Sequence, residues 1–464
     1  MFCKKVFLII GSLFTSIIIH AQLSNDTLEL LHKIMSSYAD NIPGAQVSIA
    51  RNNKIIFESA KGLANLEYNV PITLQSKLEA GSVSKQFTAA AILLLAQEGK
   101  LSLQDDIRKY FPEIPNYGHT ITISHLLHHT SGLKDWGSIV EIAGWPRGTK
   151  AYSNEDVLAI IAAQKTLNNI PGDEFIYSNS NYNLQALIVK RVTGLELAAF
   201  TKKNIFIPAG MTNTEWRDDY TRVVPHRATA YSKYGAIYAT NMPNENAYGN
   251  GGLITTTEDL IKWNEFYTAN KLGTSPLLNQ QISLVPLNNG GYNNYAVGLF
   301  IDSLNGISRI THSGATAGYR ANLDYFPTLK LSIAWLSNNA DGGFSSIPRQ
   351  LAEVFTGKPS IKPTTTTITE NNKKPAYRPD SATQAQYVGV YHSIEANTGV
   401  TISYKNGSLL LQTKPDLIRT ISPVKKDVFE YPGMTIEFVR KNKKIEGYYI
   451  SIPRARRVFF KKDN

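Results

Sequence analysis

Glu79-Ala80-Gly81-Ser82-Val83-Ser84-Lys85, running into the apolar stretch Gln86 to Ala96, is the part of the chain from which the rest can be placed. It reads as a turn that opens a buried helix, with Ser82 in the first helical turn and Lys85 three residues on. Residues at i and i+3 share a helix face, so the serine hydroxyl and the lysine amine can meet. A serine at a helix start also lies near unpaired N–H groups and the positive dipole end, a setting that suits a developing oxyanion. This is the layout of a serine nucleophile activated by a lysine. The same spacing recurs at Ser131 to Lys134 and at Ser422 to Lys425, but only the first example opens a long apolar helix.

The bulk numbers frame that site. A chain of 464 residues with 42% hydrophobic and 18% charged residues is long enough for two or three domains and can bury real cores. Lys4 and Lys5, the apolar run Val6 to Ile19 and the small residue before Gln22 read as a signal peptide over residues 1–21. The run is too short for a membrane span, and no later stretch is apolar enough, so no integral membrane segment is expected once the signal is removed. The single cysteine, Cys3, precedes the apolar run and would leave with it, so neither a disulfide framework nor a thiolate metal site is expected. The expected localisation is periplasmic or secreted.

The net charge of +11 is unevenly spread. Residues 381–464 carry 14 basic against 7 acidic side chains, whereas residues 22–356 carry 27 against 28. The basicity therefore belongs to the tail and not to the part with the chemistry. Outside the cytoplasm such a tail is a solvated cationic surface or a contact for an anionic cell-envelope polymer, and nucleic acid is not expected as a partner.

Taken in order, Asp26 to Tyr38 reads as a helix, and Gly44–Ile49 and Lys54–Ser59 as a hairpin around Asn52-Asn53, without the usual Asn-Gly turn. Four of the nine histidines fall in residues 119–133 without carboxylates at ligand spacing, so packing or capping is expected of them and a metal site is not. Residues 155–215 read as helical, broken at Pro171-Gly172, with Tyr177-Ser178-Asn179 leading into a second helix. Gly251-Gly252-Leu253 precedes a helix from Glu258 with Thr257 as its cap. Strand-like runs follow at Ala296–Ile301, Ile307–Thr311, Asn322–Phe326 and Leu331–Ser337, with His312-Ser313-Gly314 between the second and third. Strands flanking a helical middle predict an α/β (α+β) fold with a central antiparallel sheet. Residues 357–380, with four prolines and a run of threonines, read as a linker. Residues 381–464 alternate in short strands and predict a small all-β domain, sandwich or barrel.

These stretches together resemble the serine β-lactamase-like superfamily, in its class C β-lactamase, D,D-peptidase and esterase branch (peptidase family S12 type). The resemblance covers roughly residues 30–355. It rests on an ordered set: Ser82-x-x-Lys85, Ile123-Ser124-His125-Leu126-Leu127-x-His129-Thr130-Ser131-Gly132-Leu133, Pro171-Gly172-x-x-Phe175-x-Tyr177-Ser178-Asn179, Gly251-Gly252-Leu253 and His312-Ser313-Gly314. It assigns Ser131 to a structural turn. It implies a hydrolase domain over 22–356, with a central antiparallel sheet flanked by helices and an all-helical lobe. The tail is similar to a lipocalin-like β-domain.

The resemblance implies that Ser82 attacks a carbonyl to form an acyl-enzyme, that Lys85 and Tyr177 move the proton, and that Asn179 positions the substrate. His312, Ser313 and Gly314 would line the substrate site, and the backbone N–H groups of Ser82 and Ala315 would form the oxyanion hole. Either Lys85, ordinarily near 10.4, or Tyr177, ordinarily near 10, must have its pKa lowered to act as base, and the sequence leaves both open. No metal or organic cofactor is required. Class C β-lactamases usually carry lysine where this chain has His312, and a histidine near its ordinary pKa of about 6.5 is mostly neutral at pH 7. The expectation is an exported serine hydrolase acting on a peptide-like amide (a D-amino-acid or D,D-peptide) or an ester. The alternatives are a class C-like β-lactamase and a penicillin-binding sensor or scaffold that turns over poorly.

Overall fold

The computed structural model describes residues 23–274, 276–341, 344–357, 377 and 379–463. The signal peptide expected over 1–21 and nearly all of the linker expected over 357–380 lie outside the described residues.

The sheet starts from β1 (Ala45–Arg51) and β2 (Lys54–Lys61). Asn52 and Asn53 both take positive φ, 51° and 61°, so asparagine fills both left-handed positions of the tight hairpin. Strands β3 (Phe300–Leu304), β4 (Ile307–Thr316), β5 (Tyr319–Phe326) and β6 (Leu331–Ser337) complete a six-stranded antiparallel sheet in the order β3-β4-β5-β6-β1-β2. Both faces are covered, and the period of two along β6 shows how. Ile333 and Trp335 pack with Leu31, Met35, Ile347 and Leu351, under the terminal helices α1 (Asn25–Met35) and α6 (Ile347–Thr356). Ala334 and Leu336 face the larger core, built around α2 (Lys85–Gln97) and α5 (Thr257–Thr268). Every residue of α2 from Lys85 to Leu95 is buried, as befits a helix apolar on all sides. Gly99, at φ 68°, follows its end. The helical lobe holds α3 (Trp136–Ile142) and α4 (Asn179–Thr193).

Three local expectations are corrected. The strand expected over Ala296–Ile301 begins only at Phe300. The His312-Ser313-Gly314 motif is not a connection: it lies inside β4, which runs on to Thr316 because each of these residues finds a ladder partner in β5, from His312 opposite Leu323 to Gly314 opposite Ala321. The helix after Gly251-Gly252-Leu253 is capped one residue earlier than expected, by Thr256, whose hydroxyl accepts from the N–H of Asp259.

The tail closes into an eight-stranded barrel from β7 (Gly389–Ser393) to β13 (Lys444–Ile452) and β14 (Ala455–Lys462), each strand pairing with the next and β7 with β14. Tyr387, Tyr391, Phe429, Phe438, Tyr448 and Phe460 fill its core. Ile139, Ile142 and Ala143 belong to this same core, so α3 is the surface on which the barrel sits. The ion pair of Lys134 with Glu395 (2.9 Å) is buried in that contact.

Candidate active site

Ser82 lies in a 3₁₀ turn, Gly81–Ser84, and Lys85 is the first residue of α2. The sequence places Ser82 in the α-helix itself; the tighter turn matters because residues three apart eclipse each other there. The Lys85 amine thus reaches the Ser82 hydroxyl at 3.1 Å. Two glycines permit the approach of β4 to this turn. A Cβ on Gly314 would stand 2.0 Å from the Ala80 carbonyl oxygen, and one on Gly81, whose φ is 51°, would stand 2.6 Å from the Ala315 nitrogen. The two residues expected to supply oxyanion-hole N–H groups, Ser82 and Ala315, are therefore brought side by side.

Lys85 has three polar contacts. Besides Ser82 Oγ, its Nζ donates to Asn179 Oδ1 at 3.0 Å and to the Asn250 carbonyl at 2.5 Å. Burial, reinforced by the charge on Arg147, holds its pKa well below the usual lysine value. A neutral amine has two N–H donors and one lone pair. The Asn179 amide oxygen and the Asn250 carbonyl can only accept, so they take the two donors, and the lone pair is left for the Ser82 hydroxyl.

The Tyr177 ring lies 4.9 Å from Lys85 Nζ. Burial pushes the phenol above its ordinary value; the neighbouring Ser82 hydroxyl and the Arg454 charge oppose this but do not reverse it. Burial thus disfavours the phenolate of Tyr177.

His312, buried in β4, places Nδ1 2.6 Å from the Ser313 carbonyl and Nε2 3.5 Å from the Tyr295 hydroxyl. The carbonyl only accepts, so Nδ1 carries the proton and Nε2 is the acceptor. Burial holds His312 down at about 3, so it is neutral across the physiological range. Ser313 and Ala315 point to the exposed side of the strand. Ser82, Tyr177, Asn179, His312, Ser313, Gly314 and Ala315 line one cavity of about 660 Å³, within the usual range for small-molecule sites.

The other serine–lysine spacings form no such site. The Ser131 hydroxyl donates to Asn181 and accepts from the Leu133 N–H, and Lys134 pairs with Glu395. Ser422 and Lys425 sit on a barrel strand. His129 Nδ1 accepts from the N–H of Ser178 (3.2 Å), so this histidine serves the start of α4.

Sequence reasoning missed four residues. Asp135 Oδ2 accepts from the Asn179 N–H at 2.6 Å. Asn250 holds Lys85 through a carbonyl, which has no side-chain signature. Arg147, paired with Glu245, and Arg454, from the barrel, both line the cavity. Arg320 also lines it, although its Nη1 donates to the carbonyls of Ala317 and Tyr319 in its own turn.

The beta-lactamase family model matches residues 31–356. Penicillin-binding protein 4* of Bacillus subtilis (strain 168) is 28% identical over 411 residues, covering 84% of this chain and 88% of that protein. Protein flp of Staphylococcus aureus (strain N315) is 32% identical over 254 residues, 53% of this chain and half of that protein. Among solved structures, the octameric penicillin-binding protein homologue from Pyrococcus abyssi superposes with a TM-score of 0.63 at 21% identity, over 94% of this chain and 99% of that one. The D-amino acid amidase from Ochrobactrum anthropi SV3 superposes with a TM-score of 0.60 at 19% identity, over 71% of this chain and 98% of that one.

Proposed function

The chain belongs to the beta-lactamase family, and from that premise we propose that it is an exported serine hydrolase that cleaves a peptide-like amide or an ester through an acyl-enzyme on Ser82. The observation that carries the reading is the set of three contacts around Lys85, which leaves its lone pair to the Ser82 hydroxyl. Lys85 takes the hydroxyl proton as Ser82 Oγ bonds to the substrate carbonyl carbon. The N–H groups of Ser82 and Ala315 receive the oxyanion; loss of one such donor typically costs roughly 10²–10³ in rate. The tetrahedral intermediate collapses with cleavage of the carbonyl–leaving-group bond. Tyr177 passes a proton to the departing amine or alkoxide and is replenished from Lys85. Water then attacks the ester carbonyl by the same relay in reverse, releasing the acid and restoring Ser82.

A neutral His312 supplies no fixed charge where class C β-lactamases carry lysine, which favours peptide or ester hydrolysis over antibiotic destruction. The name of the penicillin-binding relative supports a peptide-like amide. A fluorophosphonate probe and a fluorescent penicillin are expected to label the wild type and not Ser82→Ala; labelling of the variant would sink the assignment of the nucleophile. Turnover of a D-Ala-D-Ala peptide, a short-chain nitrophenyl ester and a chromogenic cephalosporin then ranks the substrates.

A further inference from the structure

The barrel is not appended at a distance from the chemistry. Its last hairpin, β13 to β14, turns at Pro453-Arg454, with Ile452 opposite Ala455, and this turn reaches the cleft. Main-chain groups do the docking: the Arg454 carbonyl accepts from the Asp135 N–H (2.9 Å) and from Asn168 Nδ2 (3.0 Å), and the Arg456 N–H donates to Asn168 Oδ1 (2.7 Å). The Arg456 side chain adds a two-pronged pair with Glu174, both contacts at 3.0 Å.

The Arg454 guanidinium takes no part in that docking. It lies 5.0 Å from the centre of the Tyr177 ring, exposed to the cleft, and among the described residues it forms no ion pair or hydrogen bond. Arg147 in the same cavity is already matched by Glu245, and Asp341 faces Lys233. Arg320 is satisfied in part by backbone carbonyls. The ring face of Tyr177 holds the Arg454 cation in place without neutralising it, so its planar fork of donors stays open to an incoming anion. Buried His312 on β4 is neutral and supplies no charge to the cleft.

We propose that Arg454, delivered by the barrel hairpin onto Tyr177, is the anchor for a free carboxylate on the substrate, so that the binding site is completed by the C-terminal barrel. The inference rests on the acyl-transfer reading above and names its substrate class: amides or esters that bear a carboxylate near the scissile bond.

The test uses the full-length protein and a matched pair of peptide substrates, one ending in a free carboxylate and one capped as the neutral amide. Wild type, Arg454→Ala, Arg454→Lys and Arg320→Ala are compared, with fluorophosphonate labelling of Ser82 to show that each site is intact. Arg454→Ala is expected to lose about tenfold or more in kcat/KM on the carboxylate substrate, chiefly through KM, the scale of a hydrogen bond to a charged group. The loss on the capped one should be clearly smaller, so that the ratio of the two kcat/KM values falls, and Arg454→Lys should recover part of that ratio. Equal losses on both substrates, no loss on either, or the discrimination vanishing in Arg320→Ala instead would overturn the assignment while Ser82 labelling keeps the hydrolase reading standing. Absence of Ser82 labelling in the wild type would overturn both.

Discussion

The main-chain N–H of Asp135 donates to the carbonyl of Arg454 at 2.9 Å. The carboxylate of the same aspartate caps α3 through the Ser138 N–H (3.0 Å) and accepts from the Asn179 N–H (2.6 Å). One residue therefore ties the barrel turn, the helix beneath it and the asparagine that holds Lys85. Asp135→Ala is expected to destabilise the protein by about 1–3 kcal/mol, through a lost cap and a stranded N–H at Asn179. It should also lower kcat by displacing Asn179, whereas Asp135→Asn, which keeps an acceptor, should do less of both. Denaturant titration beside steady-state kinetics checks the pair.

In the proposed relay Lys85 must act as the free amine. Because its pKa is lowered, kcat/KM should climb with pH and level off well below the usual lysine value near 10.4. Lys85→Arg, which stays protonated, should lose on the order of 10²–10⁴ in rate and show no plateau. The sign for stability follows: the unfolded state binds the extra proton between the folded and unfolded pKa values, so this residue's contribution rises with pH across that window. A pH–rate profile unchanged by Lys85→Arg would overturn its role as base.

His312 is held at about 3 when folded against about 6.5 when unfolded. Its contribution to stability is complete above about pH 6.5 and is lost as pH falls toward 3, because only the unfolded state gains the proton over that range. Buried His129 is lowered by the same cause and adds to the slope. Denaturant midpoints should decline from pH 7 to pH 4, and His312→Asn should flatten part of that decline. An equally steep decline in the variant would remove His312 as a source.

Gly314→Ala tests the close approach of β4. The added methyl would meet the Ala80 carbonyl oxygen at 2.0 Å, where the obstacle is backbone and cannot swing aside. A cost of roughly 1–3 kcal/mol or more is expected, with Ser82 labelling slowed in whatever protein folds. Wild-type labelling and stability together would show that the strand can shift.

The Lys134–Glu395 pair ties the barrel down with side chains that are 0% and 5% exposed. Removing one partner alone should cost about 3–5 kcal/mol, because the other charge is stranded; replacing both by Met and Leu should cost far less. A double-mutant cycle by thermal unfolding gives the comparison. Additive single losses would mean that the pair does not act as a unit.

The Ser82–Lys85 turn, the order of the motifs and the class of the fold were legible from the residues alone. These are local: a Ser-x-x-Lys spacing before an apolar helix, Asn52-Asn53 between alternating stretches, and Pro171-Gly172 ahead of Tyr177-Ser178-Asn179 each follow from the conformational preferences of neighbouring residues. What lay out of reach was long-range or carried by main chain. Asn250 serves Lys85 through a carbonyl, and Asp135 offers a backbone N–H, groups that every residue possesses. The strand continuing through His312 depends on partners in β5. The opposite pKa shifts of Lys85 and Tyr177 depend on burial, which no spacing encodes. Arg454 is one of 14 basic residues in the tail. Only tertiary packing decided that it would stand over Tyr177, because its position is set by a hairpin docked onto Asp135 and Asn168, 319 and 286 residues away along the chain.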